Sequence, residues 1–174
     1  RVLFRSYQMV CCYRKHFFAP EEWKDQTVIV TFEGIAHEAQ VFLNGERIGE
    51  HHCGYTAFSI DISKKLRIGA ENVLTVRVDS RENLNIPPFG YVIDYMTYGG
   101  IYREVYVDVK NENYLADIFL HSDIEKSKIQ KNGEQIADTK LISEINVFSS
   151  GKTNRLKDLF IRQSIRERGT ENYR

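Results

Sequence analysis

Stretches in which apolar and polar residues alternate recur along this 174-residue chain, and few folds accept that rhythm. Successive side chains on a β-strand point to opposite faces, so strict alternation produces one apolar face and one wet face. In TVIVTF the residues Val28, Val30 and Phe32 share a face; in EAQVFL it is Ala39, Val41 and Leu43; in NVLTVRVDS it is Leu74, Val76 and Val78. Such segments follow one another at roughly ten to fifteen residues, the spacing of an antiparallel sandwich or barrel. Asn44-Gly45 ends one of them, and both residues tolerate the positive φ that a type I′ hairpin turn demands, so the flanking strands are expected to pair. Helical patterning is confined to single turns. APEEWKDQ places Pro20, Glu21 and Glu22 where the first turn of a helix favours them, and DISKKLRIGAEN reads as a short turn ahead of the next strand. The fold class that follows is all-β.

Composition narrows the partners. Aromatic residues make up 12% of the chain, with ten Tyr and ten Phe, which suits β structure and an ordered core. Lys plus Arg and Asp plus Glu both number 24, so no electrostatic footprint draws the chain to nucleic acid or to an anionic membrane. No apolar run approaches the roughly 20 residues of a membrane span. The opening RVLFRSYQMVCCYRKHF reads as a strand already in progress, without an initiator Met, and a true N-terminus upstream is expected. The three cysteines, Cys11, Cys12 and Cys53, include a vicinal pair that a strand sends to opposite faces. An odd count without C-x-x-C spacing suits packing thiols in a reducing compartment, and the cytoplasm is the expected location.

Two domains are expected, 1–112 and 113–174. KNENY is a polar linker between them. Beyond it, YLADIFLHSDI, TKLISEINVFSS and LKDLFIRQSIRERG read as three strands separated by turns such as Asn132-Gly133 and Ser150-Gly151. Three strands do not close a sandwich core, so the chain is expected to end partway through a second β domain.

Between the NVLTVRVDS strand and the next alternation, at Val105, Val107 and Val109, the rhythm breaks. RENLNIPPFGYVIDYMTYGG holds Pro87-Pro88, three glycines and many aromatic residues. A long irregular segment inside a compact domain is commonly functional. Within it stands one carboxylate, Asp94; Asp79 and Glu82 lie at its entrance and are expected to cap or solvate the turn. A carboxylate among tyrosines can hold a sugar, accepting hydroxyl hydrogen bonds while ring faces cover the apolar side of the pyranose. It can also supply one oxygen to a hard cation. The alternative is that Asp94 caps a local turn while Tyr95, Tyr98 and Tyr102 pack between sheets. Glycoside hydrolysis requires two carboxylates at a set separation, so a self-contained hydrolase is not expected. P-loop, dinucleotide, zinc-protease, EF-hand and nucleophile-elbow signatures are absent. His51, His52 and Cys53 are of metal-ligand type, yet neighbours on an extended chain point apart and no second cluster stands at useful spacing; a solvated loop is expected there. His16, His37 and His121 are dispersed.

The order of motifs nevertheless resembles a known family. The run from YRKHFFAPEEW through TFEGIAHEAQVFLNG and GYTAFSIDIS, then GAENVLTVRVDS and YGGIYREVYV, is similar to the N-terminal sugar-binding, jelly-roll domain of glycoside hydrolase family 2, especially its β-galactosidases. The likeness spans about residues 7 to 110 and implies a galactose-binding-like jelly-roll sandwich followed by a partial immunoglobulin-like sandwich. It implies no catalytic residue in this chain, because the family's two catalytic glutamates lie in a later TIM barrel. In its β-galactosidases an Asp ahead of the G-I-[FY]-R segment reaches into the barrel's pocket, where it contacts the galactose and a sodium ion. Counted back from Ile101-Tyr102-Arg103, Asp94 occupies that position, so the resemblance implies substrate and sodium contacts for Asp94, shared with the barrel. It further implies magnesium in the parent enzyme, a β-galactoside substrate, the parent's own TIM barrel as partner and a homo-oligomeric parent. Arg103 is expected in a buried or edge ion pair, and the Gly99-Gly100 hinge is expected to turn the chain back into the strand at Ile101. Two other readings are a lectin-like module, since jelly rolls often serve lectins, and a scaffold for docking or assembly.

The isolated chain is expected to release no galactose from a chromogenic β-galactoside. Release that survived Asp94→Ala would contradict the division of labour with a barrel, and sub-millimolar binding of galactose or lactose would favour the lectin-like module.

Overall fold

The alternating segments become two sheets that share one core. The computed structural model describes residues 8–81, 85, 99–129, 133, 135–149 and 160–165, and the chain divides into two compact units, Arg1–Asn111 and Glu112–Arg174. In the first unit the strands are β1 (Val10–Ala19), β2 (Thr27–Phe32), β3 (Ile35–Ala36), β4 (Glu38–Leu43), β5 (Glu46–His51), β6 (Phe58–Asp61), β7 (Ala70–Asp79), β8 (Gly100–Ile101) and β9 (Val105–Lys110). One sheet has the order β1-β7-β4-β5, the second β6-β2-β9, and β3 pairs with β8 in a short ribbon. All of these pairs are antiparallel. The two single turns expected from the sequence are 3-10 turns at Glu21–Trp23 and Ser63–Lys65.

The rows read from the sequence are the core. Val28, Val30 and Phe32 of β2 are fully buried, Ala39, Val41 and Leu43 of β4 nearly so, and Leu74, Val76 and Val78 of β7 are at most 8% exposed. These rows come from different sheets and belong to one cluster, which makes the unit a β-sandwich. Full burial of each such side chain contributes about 1.5–3 kcal/mol, and β-branched residues fit the pleated surface on which they stand. Phe58 of β6 stacks on Phe32 at 4.8 Å between ring centroids and closes one flank.

The opposite flank is open. Val105, Val107 and Val109 of β9 lie opposite Phe32, Val30 and Val28 in the ladder and so share their inward face. They nevertheless remain 37–39% exposed, because β9 is the edge of its sheet. An apolar cavity of about 520 Å³ lies there, bounded by Tyr13 and Phe17 of β1, Trp23, Phe32, Leu74 and Val107.

The hairpin of β4 and β5 turns at Asn44 and Gly45 with φ of 52° and 87°, as a type I′ turn requires. The turn also ties into a buried polar knot that the periodicity did not reveal. The Asn44 amide donates to Asn72 Oδ1 at 2.9 Å, and the Val73 amide donates to Asn44 Oδ1 at 3.0 Å. Asn72 is fully buried; it also accepts from the Arg67 amide at 2.9 Å and donates to the carbonyls of Arg67 and Ala70.

The second unit consists, among the described residues, of a long antiparallel hairpin, β10 (Asn113–Ile129) and β11 (Gln135–Ser149), with bulges after Leu115 and Ile124. Tyr114 and Phe148, cross-strand partners, hold their rings 5.1 Å apart. Ile118, Phe119 and Leu120 are all at least half exposed, so neither face of this two-stranded ribbon is covered. The third strand expected over LKDLFIRQSIRERG is not formed at 160–165, the part of it that is described. There the Gln163 amide donates to Ser143 of β11, a side-chain contact in place of a ladder, and Phe160, Ile161 and Ile165 stay exposed.

Asn72→Ala strands buried backbone groups that water does not reach. It is expected to lower the unfolding free energy of the chain by about 2–4 kcal/mol in urea titration, as loss of several buried hydrogen-bond partners does.

Candidate functional site

In the sequence the aromatic segment lies between β7 and β8, and the described residues at its two ends explain each other. At the entrance Asp79 accepts from the Arg81 backbone amide at 3.2 Å and takes its guanidinium in a fork, 2.9 Å to Oδ1 and 2.6 Å to Oδ2. Its backbone carbonyl accepts the His37 amide at 3.0 Å. Asp79 therefore caps the turn, as its position in the sequence suggested. The Arg81 hydrogen bonds hold its carboxyl below the usual Asp value against the opposing effect of burial, with Arg77 adding to the depression.

The next residue carries more weight. Ser80 is 2% exposed. Its hydroxyl donates to the Ala36 carbonyl at 2.6 Å and accepts the Gly100 amide at 2.8 Å, so the two ends of the segment meet at one oxygen. The Ser80 amide donates to the Met9 carbonyl at 3.0 Å. Gly100 stands where the chain turns into the short strand β8, the place expected of the glycine pair. It is buried, pairs with Ala36 across the β3–β8 ribbon, and has a φ of +78° that only glycine adopts without cost. A Cβ there would run into the Tyr13 hydroxyl, which accepts the Ile101 amide at 3.4 Å. Burial pushes the Tyr13 hydroxyl above its ordinary pKa and keeps it protonated.

Beyond Ile101 the chain does not run directly on as a strand. Tyr102 donates its hydroxyl to the Gly54 carbonyl and lays its ring against Gly34, where an added Cβ would stand 2.8 Å from Tyr102 Cζ. Tyr102 therefore packs against the sandwich. Arg103 is exposed, its guanidinium carbon 5.5 Å from the centre of the Tyr102 ring. Among the described residues that is a cation–π contact where an ion pair was expected. Asp94, Glu82, Tyr95 and Tyr98 lie outside the described residues.

The histidines are dispersed as the sequence suggested. His51 Nε2 is 2.9 Å from the Thr56 hydroxyl and its ring stacks on Phe58; burial lowers its pKa, and His52 adds to the effect. His52 lies 3.5 Å from Glu50 and 3.9 Å from Glu38. His16 pairs with Glu71 at 3.0 Å. Among the described residues no three His, Cys, Asp or Glu side chains stand close enough to hold a metal ion. The cavity beside β9 is lined mostly by apolar and aromatic side chains, with Arg14 and Lys15 the charged residues there.

Residues 2–110 match the family described as glycosyl hydrolases family 2, sugar binding domain. The chain belongs to this family. It is 38% identical over 148 residues to a β-galactosidase of Thermoanaerobacter pseudethanolicus, covering 80% of this chain and 20% of that protein. It is 36% identical over 106 residues to a β-glucuronidase of Bacteroides fragilis, covering 61% of this chain and 15% of that protein. The fold is similar to that of Bifidobacterium dentium β-glucuronidase solved with coumarin-3-O-glucuronide, with a TM-score of 0.70 at 23% identity over 82% of this chain and 28% of that one. The family 2 chain thus spans about a fifth of the length of the curated relatives it matches. What the periodicity missed in it are the polar pins Ser80 and Tyr13, although both lie in the segments that carry the family likeness; the break in alternation at Ser80 and the glycine at position 100 are their trace in the sequence.

Because Asp79 is held below the unfolded value of 3.8, its stabilising contribution is complete above that pH and disappears as the pH falls through the depressed folded value. Urea unfolding of the chain between about pH 5 and pH 2 is expected to show a shallower acid loss of stability in Asp79→Asn than in the unsubstituted chain.

Proposed function

We propose that the chain is the non-catalytic sugar-binding domain of a family 2 β-galactosidase, an enzyme that hydrolyses terminal β-D-galactosides, and that it walls the active-site pocket. The similarity to the Thermoanaerobacter pseudethanolicus β-galactosidase carries this reading: it extends over 148 residues, past the sugar-binding domain into the second unit, whereas the match to the Bacteroides fragilis β-glucuronidase covers 106. At the two ends of the aromatic segment the described residues are bonded to the sandwich, Arg81 to Asp79 and Gly100 to Ser80, which suits a segment presented from it.

In this reading Asp94 is the domain's contribution to the pocket. Its carboxylate accepts hydrogen bonds from galactose hydroxyls and offers one oxygen to a sodium ion, the other ligands coming from the barrel. Bond cleavage belongs to two barrel glutamates, so Asp94 binds and orients and moves no proton. A charged acceptor paired with a neutral hydroxyl contributes about 1.5–3 kcal/mol, which corresponds to roughly 10–100-fold in kcat/KM.

Asp94→Asn in the full-length enzyme is therefore expected to lower kcat/KM for a chromogenic β-galactoside by about 10–100-fold with an unchanged thermal midpoint. A change within twofold would overturn the role of Asp94. Hydrolysis of the corresponding β-glucuronide in preference to the galactoside would overturn the substrate and leave the assignment of the domain in place.

A further inference from the structure

The Asn44-Gly45 turn carries a reactivity as well as a shape. An asparagine followed by glycine is the pair most prone to attack on the asparagine side chain by the next backbone nitrogen, because a residue without a Cβ leaves that nitrogen unhindered and free to move. Gly45 meets the description: it is exposed, and a Cβ built on it would meet nothing within 4 Å among the described residues. In the reaction the Gly45 amide nitrogen gives up its proton and attacks Asn44 Cγ. The new N–Cγ bond closes a cyclic imide, the Cγ–Nδ2 bond breaks, and Nδ2 leaves as ammonia with the displaced proton. Water then opens the ring. Opening at Cγ leaves an aspartate at position 44; opening at the main-chain carbonyl leaves an isoaspartyl linkage whose backbone runs through Cβ and Cγ.

The bonding of the side chain opposes this attack. Asn44 is fixed at three points: its backbone amide donates to the Val73 carbonyl at 2.9 Å, its Oδ1 accepts the Val73 amide at 3.0 Å, and its Nδ2 donates to Asn72 Oδ1 at 2.9 Å. Bringing Cγ onto the Gly45 nitrogen requires the side chain to rotate, and rotation breaks its oxygen and nitrogen contacts together. The receiving group cannot follow. Asn72 is fully buried and is itself held by the Arg67 amide, which donates to its Oδ1, and by the carbonyls of Arg67 and Ala70, which accept from its Nδ2. The reactive geometry is therefore reached only when this knot opens locally.

We infer that Asn44-Gly45 is a deamidation site that Asn72 keeps closed, and that its modification undoes the closure. An ionised aspartate at position 44 has no proton to donate and sets an oxygen against the buried Asn72 Oδ1. An isoaspartyl linkage lengthens the main chain, and the two-residue type I′ loop between β4 and β5 no longer fits. The change is one-way: it removes the bonds that had prevented it.

The test is to incubate the full chain at mildly alkaline pH and follow deamidation of the peptide that contains Asn44 by mass spectrometry. The unsubstituted chain is compared folded and in urea, beside folded Asn72→Ala and folded Val78→Ala, the last being a core truncation that lowers stability away from the knot. The folded unsubstituted chain is expected to react at least about 100-fold more slowly than in urea, as a closed set of buried hydrogen bonds requires. Asn72→Ala is expected to speed the folded reaction by about tenfold or more, whereas Val78→Ala leaves it within about twofold. Equal rates folded and in urea overturn the inference, as does an unchanged rate in folded Asn72→Ala. Equal acceleration by Val78→Ala assigns the protection to global stability and overturns the role of Asn72. Should Asn72→Ala not accumulate as folded protein, Asn72→Ser, too short to serve Asn44 and Arg67 together, takes its place with the same expected direction and the same overturning result. The self-undoing half is read from Asn44→Asp at neutral pH: a lower urea midpoint is expected, and an unchanged one overturns it.

Discussion

Everything in the first unit depends on the facing of two apolar rows, β2 on one side and β4 with β7 on the other. Val28, Val30 and Phe32 meet Val41, Leu43, Val76 and Val78 with almost no exposure, and the remaining strands take their places from this contact. Because side chains alternate with period two, a slip of one residue in any of these strands would turn its whole apolar row to water. The core thus sets register as well as stability. It sets the limits of the sandwich too: β9 continues the same inward row at the edge of its sheet, and its valines stay partly exposed beside an apolar cavity.

A core of this kind specifies layers but not the ends of strands, and there buried polar groups take over. Asn72 holds the turn before β7 and the hairpin turn at Asn44; Ser80 holds the far end of β7 against β3 and β8. Each satisfies several backbone groups at once, and each stands where the alternating pattern stops. A backbone donor or acceptor buried at a strand end must find a partner, and a short side chain with both capacities is the economical one.

In the proposed reading this sandwich contributes to a site built elsewhere. The chain belongs to glycosyl hydrolase family 2 and spans about a fifth of the length of its curated relatives. In the proposed β-galactosidase the sandwich is a rigid base, and the aromatic segment is the part presented to the pocket. Rigid elements hold a contacting group more accurately than free loops do.

The sequence by itself determined the all-β class, the faces of β2, β4 and β7, the Asn44-Gly45 turn and the two single turns, because each depends on local periodicity or on the φ that one or two residues allow. Its motif order also led to the family. Only the tertiary structure decided that Gly100 is buried against Tyr13, that Arg103 stands over the Tyr102 ring with no ion pair among the described residues, that 160–165 does not join the β10–β11 ribbon, and that Ser80 bonds both Ala36 and Gly100. Those outcomes rest on atoms brought together from positions far apart in the chain, such as Tyr13 with Gly100 or Ala36 with Ser80. No periodicity or turn preference encodes such meetings, since they exist only once two sheets have packed and left a particular polar atom without water.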